Sequence, residues 1–584
     1  MDRWNNDLAA AQARVSSLGT ARLLVFFATL FGGLAVLKTA PTYAGWLLIP
    51  MGAFVALVLS HSKASLLAAR AQLATTWYEG AVARRHNTWA GLGHDGAGLV
   101  DEAHPYARDL DLFGKGSLFE LLCTCRTGLG RSTLAHWLTH PASGDKARAR
   151  QQAVLELASQ LDRREQLALL DPQGEGDLDG DALCDWAAAD PVNVSLVHRI
   201  VAVLLGLFSV AAIIAWEVYG MGLGPLAMAV VLCVAQDQLL PKRLKGVDSG
   251  AQLADAGLPL LVGLLQSLED QPVACPELSS LKERICTPLG PPSSSVDRLR
   301  KLVAGLENAK LNPFFAPVAF LLRYKVHRLW AIESWRQVAG PSIAEWIDAA
   351  GEYEALVALG SYAYEHPDDV MPDIVEGPAQ LHASAIAHPL LPTDGAVTND
   401  VTLDDDHALL LISGSNMSGK STLLRTIGSS VVLALAGAPV RAASLTLTPL
   451  ALGASIQIVD SLLSGESHFY AEIRRLATID ELAKHEPQTL FLLDEILHGT
   501  NSSDRLAGAG AVIAGLVARG ALGLVTTHDL ALTAIADKLG DRAANAHFED
   551  SLVDGRMVFD YRMREGVVSR GNALALMRSL GLDV

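Results

Sequence analysis

Two stretches in the middle of the chain restrict how it can fold. Residues 200–216, IVAVLLGLFSVAAIIAW, carry no charge, and after Glu217 residues 218–236, VYGMGLGPLAMAVVLCVAQ, carry none either. A helix apolar on every side must be enclosed by protein or by lipid, and each run is about the ~20 residues that cross a bilayer. The N-terminus repeats the arrangement: LLVFFATLFGGLAVL (23–37) and TAPTYAGWLLIPMGAFVALVLS (39–60) are separated only by Lys38. A cleavable signal peptide would be followed by a polar chain, not by a second and longer apolar run.

Flanking charge separates a pair of buried core helices from a pair of membrane hairpins. Arg3, Arg14 and Arg22 precede the first hairpin, and Lys63, Arg70, Arg84 and Arg85 follow it. Arg199 precedes the second, and Lys242, Arg243 and Lys245 follow it, whereas the tips hold only Lys38 and Glu217. Cations on the outer flanks and almost none at the tips follow the positive-inside rule, with the remainder of the chain cytoplasmic. The expectation is a multi-pass membrane protein, and a mean hydropathy of +0.27 agrees with it.

A formal net charge of −17, from 46 Lys+Arg against 63 Asp+Glu, argues against a broad basic face that binds nucleic acid by charge alone. The six cysteines lack CxxC spacing, so neither a zinc site nor a disulfide framework is indicated. Five regions are expected: a membrane hairpin at 1–64, a helical core at 65–197, a second hairpin at 198–240, a helical lever at 241–378 and an α/β domain at 379–584. EHPDDVMPDIVEGP (365–378) marks the last boundary, since its prolines and glycine end the helical pattern. Beyond it ALLLIS (408–413), TLFLLDE (489–495) and LGLVTTH (522–528) are short apolar runs separated by helical stretches. This alternation predicts a parallel sheet covered by helices, with chemistry at the carboxyl ends of its strands.

GSNMSGKST (414–422) fits G-x-x-x-x-G-K-[ST] between such a strand and the helical stretch LLRTIGSSVVLALA. Its glycines would let backbone N–H groups wrap phosphate, Lys420 would reach the β- and γ-phosphates, and the Ser421 hydroxyl would bind Mg²⁺. Asp494 and Glu495 close the next strand; Asp494 would complete the Mg²⁺ shell and Glu495 would orient or deprotonate the attacking water. His528, ending the third strand, is a candidate γ-phosphate sensor. The cofactors expected are ATP and Mg²⁺.

These residues resemble a known family. GSNMSGKST, LLSGESHFYAEIRRL (462–476), LLDEILHGTNSSDR (492–505), TTHD (526–529) and the segment 546–582 occur in the order and spacing of the MutS mismatch-repair ATPases. HPLL (388–391) is similar to the start of that family's ATPase domain, Asn399 matches its Asn before the P-loop strand, and SLFELLCTCRTGLGRSTLAHWL (117–138) looks like its helical core. The resemblance implies an α/β P-loop ATPase domain of ABC-like type, MutS domain V, following a mostly helical core and lever. It further implies a homodimer with composite sites. Gly414, Asn416, Gly419, Lys420, Ser421 and Thr422 would bind nucleotide in cis, Ser464, Gly465 and Ser467 would reach the partner's γ-phosphate, and Thr500 to Asp504 would lie at the dimer seam. Nothing before residue 110 is similar to the family's mismatch-recognition domain; the first apolar hairpin stands in its place.

Two functions remain open at this level. One is a membrane-anchored ATPase coupled to DNA, with Arg298, Arg300, Lys301, Lys310, Arg323, Lys325 and Arg328 as candidate phosphate contacts. The other is an ATP-driven switch acting on a membrane or protein partner without DNA. An ABC-type transporter fits poorly, because four spans split around a soluble region and no LSGGQ signature is present.

Overall fold

A computed structural model describes the chain except residues 40, 102, 173–177, 191, 193–195, 240–256, 271, 289, 458–467, 487, 498–501, 554–555 and 569–584. Helices α1 (Asp2–Thr39) and α2 (Leu48–Arg85) form a hairpin closed by a 3-10 turn at Pro41–Leu47. Each has 38 residues, about 57 Å at 1.5 Å per residue, well beyond the apolar runs that predict them. Toward the tip Leu24, Phe31, Leu34, Trp46 and Leu59 are exposed. At the root the hairpin is held by polar contacts: Arg84 donates to both carboxylate oxygens of Glu365 (2.6 and 2.7 Å), and Trp4 donates to Glu165. The expected boundary at residue 64 therefore falls inside one continuous helix.

The helical body contains α3 (Leu118–Leu122), α4 (Gly128–Thr139), α5 (Gly144–Ala158), α6 (Leu161–Ala168) and α7 (Gly180–Ala188). Side-chain caps start several of these, with Ser117, Thr127, Ser143 and Asp179 accepting from backbone N–H groups three residues on. The second hairpin is α8 (Leu196–Glu217) and α9 (Gly224–Leu239). Gly220 and Gly222, both at positive φ, break the second apolar run, so α9 has 16 residues and not the full uncharged stretch. Three described helical stretches, Asp2–Thr39, Gly45–Arg85 and Leu196–Glu217, are long and apolar enough to cross a membrane; Gly224–Leu239 is shorter. The basic flank at Lys242, Arg243 and Lys245 lies outside the described residues.

Helices α10 (Leu258–Asp270), α11 (Pro276–Ile285), α12 (Pro292–Leu311), α13 (Ala316–Leu321), α14 (Tyr324–Ala339) and α15 (Ile343–Glu365) complete the body. Helix α15 is its axis and is buried along most of its length. Gly351 lets α4 cross it closely, since a Cβ there would lie 2.7 Å from Thr133 Oγ1 and 3.2 Å from the Leu129 carbonyl. One turn on, buried Glu354 accepts from the backbone N–H groups of Arg126 (2.6 Å) and Thr127 (3.2 Å), tying α15 to the start of α4. Burial raises the pKa of this carboxyl, against the pull of those hydrogen bonds.

The α/β region runs β1 (Asp373–Ile374), β2 (Leu381–Ile386), β3 (Asn399–Leu403), β4 (Leu409–Ser413), α16 (Lys420–Ala436), β5 (Ser444–Leu447), β6 (Ala451–Ser455), α17 (His468–His485), β7 (Thr489–Asp494), α18 (Ser502–Ala518), β8 (Leu522–Thr527), α19 (Leu530–Leu539), β9 (Ala543–Val553) and β10 (Arg556–Glu565). Six strands form one sheet in the order β10-β9-β4-β8-β7-β6, parallel throughout except for the β9–β10 hairpin. The three strands expected from apolar runs, β4, β7 and β8, are adjacent at its centre. A smaller sheet, β1-β5-β2-β3, stands beside it. Because β1 pairs with β5, the region begins a few residues before the expected boundary at 379.

Helix α16 is sandwiched between the large sheet and the helical body. A Cβ on Gly428 would lie 2.6 Å from Leu110 Cδ2 and 2.8 Å from Leu492 Cδ1. The segment carrying Leu110 also provides the polar joint between the two regions. Asp109 is fully buried, and its carboxylate accepts from the N–H groups of Ile456 (2.6 Å) and Gln457 (2.8 Å) at the end of β6 and from Arg475 of α17 (2.9 Å). Asp111 pairs with Arg425 of α16 at 2.7 Å. Removing one partner of a buried charge pair typically costs 3–5 kcal/mol. Asp109→Ala is therefore expected to lower the thermal midpoint of the α/β region by several degrees, and Asp111→Ala, at a half-exposed pair, by much less; scanning calorimetry of the two variants checks this.

Candidate functional site

Strand β4 delivers the chain into a loop whose conformation requires glycine at two places. Gly414 has φ +152°, and a Cβ there would come within 3.0 Å of the Phe548 carbonyl; Gly419 has φ +104°, and a Cβ there would lie 3.2 Å from the Tyr561 ring. Lys420, 4% exposed, opens α16, and its ammonium donates to the carbonyls of Gly414 (2.9 Å) and Ser415 (2.7 Å). Burial lowers the pKa of this ammonium, while the nearby Glu495 and Asp494 raise it. The hydroxyls of Ser415 and Ser418 are buried without a protein hydrogen-bond partner. Glycine-permitted turns, a buried cation and two orphaned hydroxyls at a helix N-terminus make a cradle that fits a polyphosphate.

The acidic residues come to the same sheet edge. Asp494 ends β7 opposite Thr526 of β8, whose hydroxyl donates to it. Glu495 follows at φ +49°, its N–H held by the Thr526 carbonyl at 3.1 Å, and its carboxylate lies 3.2 Å from Nδ1 of His528. A non-glycine residue at positive φ is strained, and here the strain turns the second carboxylate away from the first and toward the histidine. Leu497 has φ +56° and donates its N–H to Glu472 of α17, which fixes the turn after the acidic pair. Among the described residues no three His, Cys, Asp or Glu side chains cluster as a metal cage. One hydroxyl, Ser421, and one carboxylate, Asp494, suit Mg²⁺, which keeps waters and takes its other ligands from phosphate.

Asn416 and Thr422 are exposed on the loop and on the first turn of α16, and Ser421 is half-buried. Ser464, Gly465 and Ser467 lie outside the described residues, as do Thr500 and Asn501; Ser502–Asp504 begin α18.

Beyond Gly419 opens a cavity of about 360 Å³, lined by His388, Leu391, Asn399, Thr422, Phe548 and Tyr561 among others. Asn399 shapes it by donating to the Tyr561 carbonyl (3.1 Å) and accepting from the Met563 N–H (2.7 Å). That bridge spans a register break in β10 between Phe559 and Met563, where Tyr561 sits at φ +55°. Burial, reinforced by Arg425 and Arg441, pushes the pKa of His388 down to about 4. The sequence marks His388 only as part of HPLL and gives no sign of Tyr561, whose place depends on a bulge without its own motif.

Several cations expected to meet phosphates in 296–336 are engaged within the protein. Arg300 and Lys301 both pair with Asp297 at 2.6 Å, Lys310 pairs with Glu307 at 2.9 Å, and Arg323 pairs with Asp237. Arg328 stacks over the Tyr324 ring, 4.8 Å from its centroid.

Residues 410–582 match the family model described as MutS domain V. The DNA mismatch repair protein MutS 2 of Halobacterium salinarum is 36% identical over 244 residues, 40% of this chain and 26% of that protein. The DNA mismatch repair protein MutS of Shouchella clausii is 38% identical over 202 residues, covering 33% of this chain and 23% of its own. Endonuclease MutS2 of Thermus thermophilus is 36% identical over 198 residues, 33% of this chain and 25% of its own. The chain thus spans about a quarter of the length of these curated relatives. Residues 410–582 thus match MutS domain V, and it is through this stretch that the chain is similar to proteins of the MutS family.

Proposed function

We propose that this chain is a Mg²⁺-dependent ATPase that works as a dimer and is anchored in a membrane by two helical hairpins, with its α/β region on the cytoplasmic side. The observation that carries the ATPase reading is the convergence of Lys420, Asp494, Glu495 and His528 on one sheet edge. Lys420 would exchange its two carbonyl partners for β- and γ-phosphate oxygens. Ser421 and Asp494 would hold Mg²⁺, which would supply charge neutralisation at the phosphates. Glu495 would orient and deprotonate the attacking water, with His528 positioning its carboxylate. The cavity lined by His388 and Tyr561 would receive the nucleotide base. Completion of each site by Ser464, Gly465 and Ser467 of a second copy is carried over from the family resemblance.

The relatives' names bring DNA in as a partner, and coupling of the ATP cycle to DNA is the first reading. The ion pairs at Asp297, Glu307 and Asp237 favour the second, a switch acting on a membrane or protein partner, because phosphate contacts from that stretch would have to compete with them. ATPase rates in detergent with and without duplex, mismatched and branched DNA separate the two: stimulation lost as salt rises supports DNA coupling, and a flat response at low salt rules it out.

Lys420→Ala is expected to weaken nucleotide binding at least tenfold. Glu495→Gln should keep binding while hydrolysis falls by roughly 10²–10⁴; fluorescent-nucleotide titration beside steady-state turnover distinguishes the two defects. His388 adds a pH dependence. Its folded pKa is depressed, so its contribution to stability is present above the unfolded value of 6.5 and is lost as pH falls toward about 4. Thermal melts should show wild type losing roughly 2–3 kcal/mol more than His388→Gln between pH 7 and pH 4.5.

A further inference from the structure

Helices α12 and α14 pack side by side and are joined by a tip without charge, Leu311–Leu322, LNPFFAPVAFLL. Asn312 caps its turn by accepting from the N–H groups of Phe314 (3.0 Å) and Phe315 (3.2 Å), and α13 follows. The tip turns large apolar side chains outward: Leu311 is 78% exposed, Phe314 90%, Val318 48% and Leu322 41%. So ordered and apolar a surface is not a solvated loop.

Its position beside the second hairpin says what covers it. Helices α8 and α9 run antiparallel, with Gln236 near the end of α9 donating to the His198 carbonyl near the start of α8 (3.2 Å). Arg323, buried and at φ +54°, breaks the chain between α13 and α14 and donates to Gln236 (2.7 Å) and to Asp237. The residue before it reaches further along α8: a Cβ on Gly206 would lie 3.5 Å from the Leu322 carbonyl. Gly206 is eight residues beyond His198, about 12 Å along the helix axis. The tip therefore flanks the uncharged part of α8. Small residues Ala202, Gly206, Ser209 and Ala212 are the buried face of α8, while Leu204 and Leu207 face outward. Lys310, Lys325 and Arg328 stand where the apolar tip gives way to the polar body.

We propose that Leu311–Leu322 is a third membrane-contacting element, inserted into the cytoplasmic leaflet against the second hairpin, with Arg323 locking it there. Helix α13, which carries Val318, packs against both α8 and α9, and cations follow at its base as they do at the ends of membrane-inserted segments. The proposal rests on the reading of the hairpins as membrane spans. Its consequence is that the α12–α14 pair touches the bilayer directly as well as through the hairpin.

The test uses the full chain in vesicles of phosphatidylcholine and phosphatidylglycerol, in a Cys286→Ser background that removes the exposed thiol. Phe314→Cys, Leu207→Cys and Asp405→Cys are each labelled with a polarity-sensitive nitrobenzoxadiazole probe, the parent giving residual labelling. Doxyl-labelled lipid is expected to quench the probe at residues 314 and 207 at least twofold and to leave the probe at 405 unaffected. Quenching at 207 with residue 314 behaving like 405 overturns the proposal while the hairpin stays in the bilayer; that tip would then face solvent, a protein or a second copy. No quenching at 207 overturns the hairpin reading and the proposal with it.

Discussion

A carboxylate with no access to water must find all its donors in the protein, and Asp109 finds them in the α/β region. Two backbone N–H groups at the end of β6 and the guanidinium of Arg475 converge on it, so the helical body and the α/β region cannot part without leaving a bare buried charge. The neighbouring Leu110 lies over α16, the helix that begins with Lys420, and Asp111 holds Arg425 of the same helix. Three consecutive residues thus grip both the helix behind the phosphate cradle and the strand end that leads toward Ser464. A shift in either element at the candidate site has a rigid contact through which to reach the helical body.

The helical body passes such a shift on by two routes. Helix α15 is tied at Glu354 to the start of α4 and at Glu365 to Arg84 of the first hairpin. Helix α14 is tied through Arg336 to the carbonyls of Trp186 and Asp190 and through Glu333 to the Val192 N–H, and its N-terminal end meets the second hairpin at Arg323. Both routes run through buried charged groups whose hydrogen bonds are directional. Such joints hold one geometry in preference to sliding among several.

Much of the candidate site was legible in the sequence because it depends on local pattern. A buried parallel strand is a short apolar run, the residue after it sits at the sheet's chemical edge, and a phosphate loop needs glycine where φ is positive. Lys420, Asp494, Glu495 and His528 obey those rules and lie near one another along one sheet edge. Tyr561 does not, since its ring reaches Gly419 only through a break in strand register that no spacing encodes. Helix length was misjudged for a related reason. Apolar runs mark the part of α1 and α2 that could face lipid, whereas the polar remainder is set by contacts with Glu165 and Glu365 more than a hundred residues away. In the second hairpin Gly220 and Gly222 shortened what hydropathy alone extended, a backbone effect that composition cannot reveal. The ion pairs that occupy the basic residues of 296–336 were likewise hidden until their carboxylate partners were placed.

The unequal reach of the two hairpins fixes how the molecule would stand. In the proposed orientation the first hairpin leaves the apolar zone near Lys63 and meets the body at Tyr78, whose hydroxyl donates to Glu165, about 15 residues or 22 Å later. The second is gripped by Arg323 at the edge of its apolar zone, with no such interval. The body is therefore held close to the lipid on one side and at the end of a stalk on the other. Helix α15 has 23 residues, about 34 Å, and its far end carries the Glu365 that receives the stalk. In that orientation a shift of α15 would reach the membrane through the stalk, by way of Glu365 and Arg84.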